Sequence, residues 1–149
     1  MWGRIGIVVA ALAGFAVPAQ AQRVVTPGIG DPSRAALLDA LRGEIARDLG
    51  QPVKFVVRDM RTNGDWAFLV ATPQTPAGAP IDFGKTHYAE QQREGVLDGD
   101  TLYALLQRRA GKWVVVEFVI GPTDVAWLDW ESKHHVTPGV IPMPADMAH

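Results

Sequence analysis

Apolar residues recur along the chain with two periods, and each marks a different kind of element. In "DPSRAALLDALRGEIARDLGQP", Leu37, Leu38, Leu41, Ile45 and Leu49 return at three- and four-residue spacing. At about 100° per residue they occupy an arc of roughly 120°, one face of a helix. Asp31 is a good N-cap, Pro32 suits the first helical position, Gly50 suits the exit and Pro52 blocks continuation. The pattern predicts an amphipathic helix that lays one face on a neighbouring layer.

The period then shortens. "PVKFVVRDMRTNGDWAFLVAT" predicts a hairpin turning at Asn63-Gly64, a pair favoured where both central residues need positive φ. That register sets Arg61 against Trp66, Asp59 against Phe68, Val57 against Val70 and Phe55 against Thr72. One face then holds Phe55, Val57, Phe68 and Val70, and the other Val56, Met60, Ala67 and Leu69. "TLYALLQRRAGKWVVVEFVIG" predicts a second hairpin turning at Ala110-Gly111. It sets Leu105 against Val116, Tyr103 against Phe118 and Thr101 against Ile120. Its other face pairs Leu106 with Val115, Leu102 with Val119 and Ala104 with Glu117. Between the hairpins, residues 73–100 are turn-rich, and "IDFGKTHYAEQQ" fits a short strand or a helical turn. After Gly121-Pro122, Thr123 would cap a short helix through "DVAWLDWESKHH". Residues 22–30 read as a linker, and the Pro-rich residues 137–149 as an extended or disordered tail.

Residues 31–136 therefore form one α+β domain: a long N-terminal helix packed on an antiparallel sheet of about four strands, with a short C-terminal helix. Both sheet faces are apolar, whereas antiparallel sheets usually leave one face wet. The long helix covers one. The other needs the C-terminal helix, the 73–100 loop or a second subunit, so a homodimer is among the arrangements the pattern allows. Trp127 and Trp130 share a side of the short helix with His134. That side either lids the second face or forms an exposed binding patch, since an indole carries both a large apolar area and one N–H.

The N-terminus changes where such a domain would work. Arg4, an apolar run from Ile5 to Val17 and Ala19-Gln20-Ala21 have the layout of a secretory signal peptide spanning 1–21, cleaved after Ala21. Pro18 ends the run short of the roughly 20 residues a spanning helix needs, and no later segment is apolar enough to span. Export to the periplasm is expected, with release to the medium as the alternative. The chain has no cysteine, which excludes a disulfide framework and a thiol nucleophile and fits a bacterial envelope. The 14 Lys and Arg and 16 Asp and Glu give a net charge of −2. Loss of the leader with Arg4 makes it more negative, so nucleic acid is not an expected partner.

Asp59 and Glu117 are the sharpest candidates for chemistry. Each lies within a strand on an otherwise apolar face, where desolvation raises a carboxyl pKa toward that of a general base. A one-residue slip would instead turn either to solvent, and Glu117 would also be satisfied by an Arg. His87 beside Tyr88, with Asp82 near, is either an acid/base pair or a solvated loop. Beyond the leader the only serines are Ser33 and Ser132, neither in an elbow motif, which argues against a Ser–His–Asp hydrolase. His134, His135 and His149, with Met143 and Met147, are ligand types that suit copper. Adjacent helical histidines point about 100° apart, however, and no metal-binding or phosphate-cradling motif is present. No cofactor is implied. Arg34, on the apolar arc of the helix, would either reach the rim or pair with Glu117 or Asp124. With Trp127 and Trp130, Arg34 and Asp124 make up the candidate binding residues.

"GKWVVVEFVIGPTDVAWLDW" together with "DWAFLVA" resembles a group of small, uncharacterised bacterial exported proteins, which implies export and no particular activity. The element order resembles a cystatin-type roll. The inhibitory Gln-x-Val-x-Gly signature of cystatins is not met, because Phe55 stands where Gly is needed in Gln51-Pro52-Val53-Lys54-Phe55. The resemblance thus extends to architecture and not to protease inhibition. The expected function is a non-enzymatic binding or accessory protein of the envelope, with a protein or small-molecule partner. The alternatives are a small-cavity enzyme using Asp59, Glu117 or His87, and a metal-handling protein using the C-terminal histidines.

Overall fold

A computed structural model describes residues 22–147. The signal peptide read at 1–21 and the candidate ligand His149 lie outside them. Helix α1 spans Pro32–Leu49. The Asp31 carboxylate accepts the Ser33 N–H at 2.8 Å, and Gly50 closes the helix at φ 67°, a left-handed conformation that costs glycine little. Leu37, Leu41, Ile45 and Leu49 are buried, as the period demands. Each contributes about 1.5–3 kcal/mol by leaving water.

Four strands follow: β1 (Lys54–Thr62), β2 (Trp66–Gln74), β3 (Leu102–Arg109) and β4 (Lys112–Ile120). They form one antiparallel sheet in the order β1-β2-β3-β4. The fold is α+β, with the long helix, the four-stranded sheet and a short C-terminal helix α3 (Trp130–His134). Among the described residues no helix is long and apolar enough to cross a membrane.

The second hairpin turns where expected. Ala110 and Gly111 have φ of 48° and 77°, and Arg109 pairs with Lys112. The first turns one residue later than expected, at Gly64-Asp65. The Asn63 side chain accepts the N–H groups of Asp65 and Trp66 at 3.0 and 2.8 Å, and Gly64 takes up the positive φ of 93°. Asn63 is therefore the flank of the turn and not its first central residue. Arg61 consequently faces Phe68 and Asp59 faces Val70.

Each edge strand also departs from strict alternation. The pairing shifts between Val57 and Asp59 in β1, and between Leu105 and Leu106 against β4. A β-bulge inserts one residue and bends an edge strand, which also discourages pairing with another sheet. Here each bulge moves the next residues to the opposite face. Phe55, Val57 and Met60 pack toward α1 with Leu69, Leu102, Ala104, Leu106, Trp113, Val115, Phe118 and Ile120. Trp66, Phe68, Val70, Tyr103, Leu105, Val116 and Val119 form the second face. The expected grouping of Phe55 and Val57 with Phe68 and Val70 is thus corrected by the bulge at Arg58. Likewise Glu117 faces Leu105, not Ala104, because of the bulge at Val116.

The second face is covered by pieces from both ends of the chain. Trp127, Trp130, Val136, Val140 and Ile141 are buried against it, with Val24 beside them. Two sequence expectations are corrected here. The C-terminal helix is shorter than "DVAWLDWESKHH", because Leu128 and Trp130 donate to Val125 and Trp127 in tighter three-residue turns. That spacing still points both indoles at the sheet. The tail is also not outside the domain, since Val140, Ile141 and Pro142 are buried. The segment taken as a linker contributes too: Val25 exchanges two backbone hydrogen bonds with Thr62, at 2.8 and 2.9 Å.

The connection between the hairpins folds as a short 3-10 turn (Phe83–Lys85) and α2 (Ala89–Arg93). Ile81 and Phe83 enter the first core. At its end Gly121 has φ 57°, and a Cβ there would stand 2.6 Å from the Gly99 carbonyl oxygen. No side chain fits that corner without moving backbone.

Candidate functional site

The β1 bulge presents two successive residues, Arg58 and Asp59, to the same side as Arg61. With Val70 on β2, Thr101 just before β3, Tyr103 within it, and Asp146 of the tail, they line a cleft of about 430 Å³ on the second face. Asp59 accepts one hydrogen bond, from Arg61 Nε, at 3.2 Å. This pairing leaves the two terminal amino groups of Arg61 unengaged among the described residues, and the Arg58 guanidinium makes no hydrogen bond or ion pair there. Burial pushes the Tyr103 phenol up, against the opposing pull of Arg58, so its hydroxyl remains a donor. The Tyr103 ring stacks on Trp127 with centroids 3.8 Å apart and 11° between planes. Asp146 bends back to accept the Met143 N–H at 3.3 Å.

Two buried side-chain polar atoms lack a partner among the described residues: Thr72 Oγ1 and Trp127 Nε1. Such an atom costs about 1–3 kcal/mol. Trp127 supports the Tyr103 wall of the cleft, and Thr72 follows Phe68 and Val70 in the alternation of β2. Both orphan atoms therefore belong to the second face.

Asp59 accordingly sits in a cleft with neighbouring charges, yet as the partner of an arginine. Glu117 reaches the same face further along β4. Its carboxylate accepts two bonds from Lys133 Nζ at 3.0 Å and lies 2.6 Å from His134 Nε2. Burial raises its pKa, but the bonds and charges of His134 and Lys133 outweigh that and hold it below the usual value. Glu117 therefore pins α3 to β4, and its carboxylate is held in the ionised form by that pairing, not raised toward a general base's range. Its partners are not arginine, and Arg34 meets neither Glu117 nor Asp124. Arg34 instead donates to the Pro27 carbonyl at 3.3 Å and lies 3.8 Å from Met60 Sδ, at the rim of the first core.

The remaining candidates scatter. His87 pairs with Asp48 at 3.0 Å, and not with Asp82, which caps the 3-10 turn. The Tyr88 hydroxyl donates to the other Asp48 oxygen at 2.8 Å. Burial and that bond push the phenol well above the tyrosine range, so Tyr88 stays protonated. This cluster ties the loop to the last turn of α1. Trp127 and Trp130 are 5% and 2% exposed, which makes them core and not a surface patch. Asp124 is exposed at a shallow groove with Pro122 and Thr123, and Arg34 lines a different one with Ile29 and Leu38. His135 is the exposed left-handed residue that ends α3 at φ 55°. No group of three or more His, Cys, Asp or Glu side chains suited to a metal occurs among the described residues. The four expected binding residues are not brought together.

The residues the sequence did not single out are Arg58, Arg61, Thr101, Tyr103 and Asp146. The one available signal was the charged triplet Arg58, Asp59 and Arg61 in an otherwise apolar strand. No protein-family model matches the chain, and neither a curated protein nor a solved structure matches it significantly.

Proposed function

We propose that the chain is an exported, non-enzymatic protein that binds a small molecule in the cleft between the β1 bulge and the start of β3. One observation carries this reading: the Trp corner and tail seal only part of the second face. What they leave open is a concavity of about 430 Å³ with an apolar floor and converging polar groups. Small-ligand sites run from roughly 300 to 1,000 Å³ and are mostly apolar; this cleft is of that size and more polar, with Arg58, Asp59, Arg61, Thr101 and Asp146 beside Val70 and Tyr103. Binding is favoured over catalysis because each candidate acid or base is held by a partner of its own. Asp59 is held by Arg61, Glu117 by Lys133 and His134, and His87 by Asp48. Export is supported by the layout of residues 1–21 alone.

The test is a small-molecule screen against ¹⁵N-labelled protein beginning at Gln22. Binders should shift the amides of Val70, Thr101 and Tyr103, and Thr101→Trp, which fills the cleft, should abolish those shifts. A diverse screen of anionic, neutral and cationic compounds that leaves these amides unmoved would refute the cleft as a binding site. Fractionation of the native host, with sequencing of the N-terminus, should recover a chain starting at Gln22 outside the cytoplasm.

A further inference from the structure

The cleft holds two guanidiniums with N–H groups that no acceptor among the described residues takes. Its donors are the Arg58 guanidinium, the terminal amino groups of Arg61, the Thr101 hydroxyl and the Tyr103 hydroxyl. None of these has a side-chain or backbone partner among the described residues. Two carboxylates, Asp59 and Asp146, also line it; each takes one bond, from Arg61 Nε and the Met143 N–H, and keeps its other lone pairs. Asp146 approaches neither guanidinium within ion-pair distance. A guanidinium with unpaired N–H groups suits a ligand that carries acceptor oxygens, and its planar fork matches an oxyanion with two parallel bonds. The bulge is what makes this possible. Alternation carried on from Val57 would send Asp59 and Arg61 to the α1 side, whereas the inserted residue keeps both on the side of Arg58. Beside the donors, Val70 and the Tyr103 ring, backed by Trp127, supply the apolar part of the lining.

We infer that the cleft takes a small organic oxyanion, gripped by Arg58 and by the free amino groups of Arg61, with its apolar body against Tyr103. The inference rests on the cleft being the binding site and adds the chemical class of what it binds. Carboxylate and phosphate share this chemistry, so both enter the test.

The experiment titrates benzoate, inorganic phosphate and benzyl alcohol, the neutral counterpart of benzoate, into the labelled protein. The signals followed are the Arg58 and Arg61 Nε–H groups, the Trp127 indole N–H and the Thr101 and Tyr103 amides. Benzoate should shift them saturably, and benzyl alcohol should bind at least about tenfold more weakly, the worth of one charge-assisted hydrogen bond. Arg58→Gln, at an exposed side chain that leaves the fold intact, should weaken benzoate by a similar factor. Phosphate binding at the same signals would widen the class to oxyanions in general, while benzoate alone would narrow it to carboxylates. If benzyl alcohol binds as well as benzoate and Arg58→Gln changes nothing, the oxyanion assignment falls while the cleft survives as a site. If neither benzoate nor phosphate moves any of these signals, the assignment also falls, and the broader screen decides the fate of the cleft.

Discussion

The two faces of the sheet are closed by different means. The α1 face is covered by one continuous helix, whose Leu37, Leu41, Ile45 and Leu49 repeat at a single period. The other face is covered by fragments: Val24 from the N-terminal arm, Trp127, Trp130 and Val136 from the corner and the end of α3, and Val140 and Ile141 from the tail. A single amphipathic helix lays down an unbroken apolar stripe. A cover assembled from three segments leaves gaps, and here the gap is the arginine-lined cleft. The edge bulges reinforce the contrast. Each delivers a pair of residues, Arg58-Asp59 or Val116-Glu117, to the patched face and keeps its charge out of the helix-covered core.

The comparison is broken or sharpened most strongly by large-to-small substitutions on both sides. Trp130→Ala should cost about 3–5 kcal/mol, comparable to the about 2–5 kcal/mol of Leu41→Ala, as measured by urea unfolding. A loss below about 1 kcal/mol for Trp130→Ala would mean the corner is an ornament on a face closed by something else. Truncation after Val136 comes next. It removes Val140 and Ile141 and should lower stability by on the order of 3 kcal/mol, since each buried aliphatic contributes at least about 1.5 kcal/mol. Unchanged stability would return the tail to the role of an appendage. The smallest effect concerns the latch between α3 and β4. Glu117→Gln should cost about 0.2–1 kcal/mol at neutral pH, because the ion pair is partly solvated. The native carboxyl is held below its ordinary value of 4.5, so its contribution is present above that value and lost as pH falls through the lowered one. The stability gap between wild type and Glu117→Gln should therefore narrow as pH falls below 4.5, and a gap that stays constant down to the onset of acid unfolding would contradict the assignment.

The sequence made α1, the Ala110-Gly111 turn and the need for a second cover legible, because each rests on a local rule. Helical period, capping by Asp31 and Gly50, and the positive-φ turn are written within a few residues of where they act. The bulges at Arg58 and Val116 were not legible. A bulge is chosen by the balance of burial between two faces, and one inserted residue looks in sequence like an ordinary strand position. Asp59 stands out in the sequence as a charge among apolar neighbours, whereas Arg58 and Arg61 read as ordinary strand positions. Their meaning depends on the bulge that gathers them. Val140 and Ile141 were hidden by the prolines around them, which break helix and strand but do not prevent burial. Trp127 and Trp130 could be read as a lid because their spacing turns both indoles one way in a helix or in tighter turns.

The central claim is that the chain itself, through its Trp corner and tail, closes the second face. Nuclear Overhauser spectra of the protein from Gln22 onward test this most directly, taken at a concentration where light scattering reports a monomer. The account predicts cross-peaks from Trp130 to Phe68 and from Trp127 to Tyr103, whose rings lie 6.4 and 3.8 Å apart by their centroids. Their absence in the monomer, with the same cross-peaks or protected indoles appearing only on dimerisation, would show that a second copy covers this face and would contradict the account.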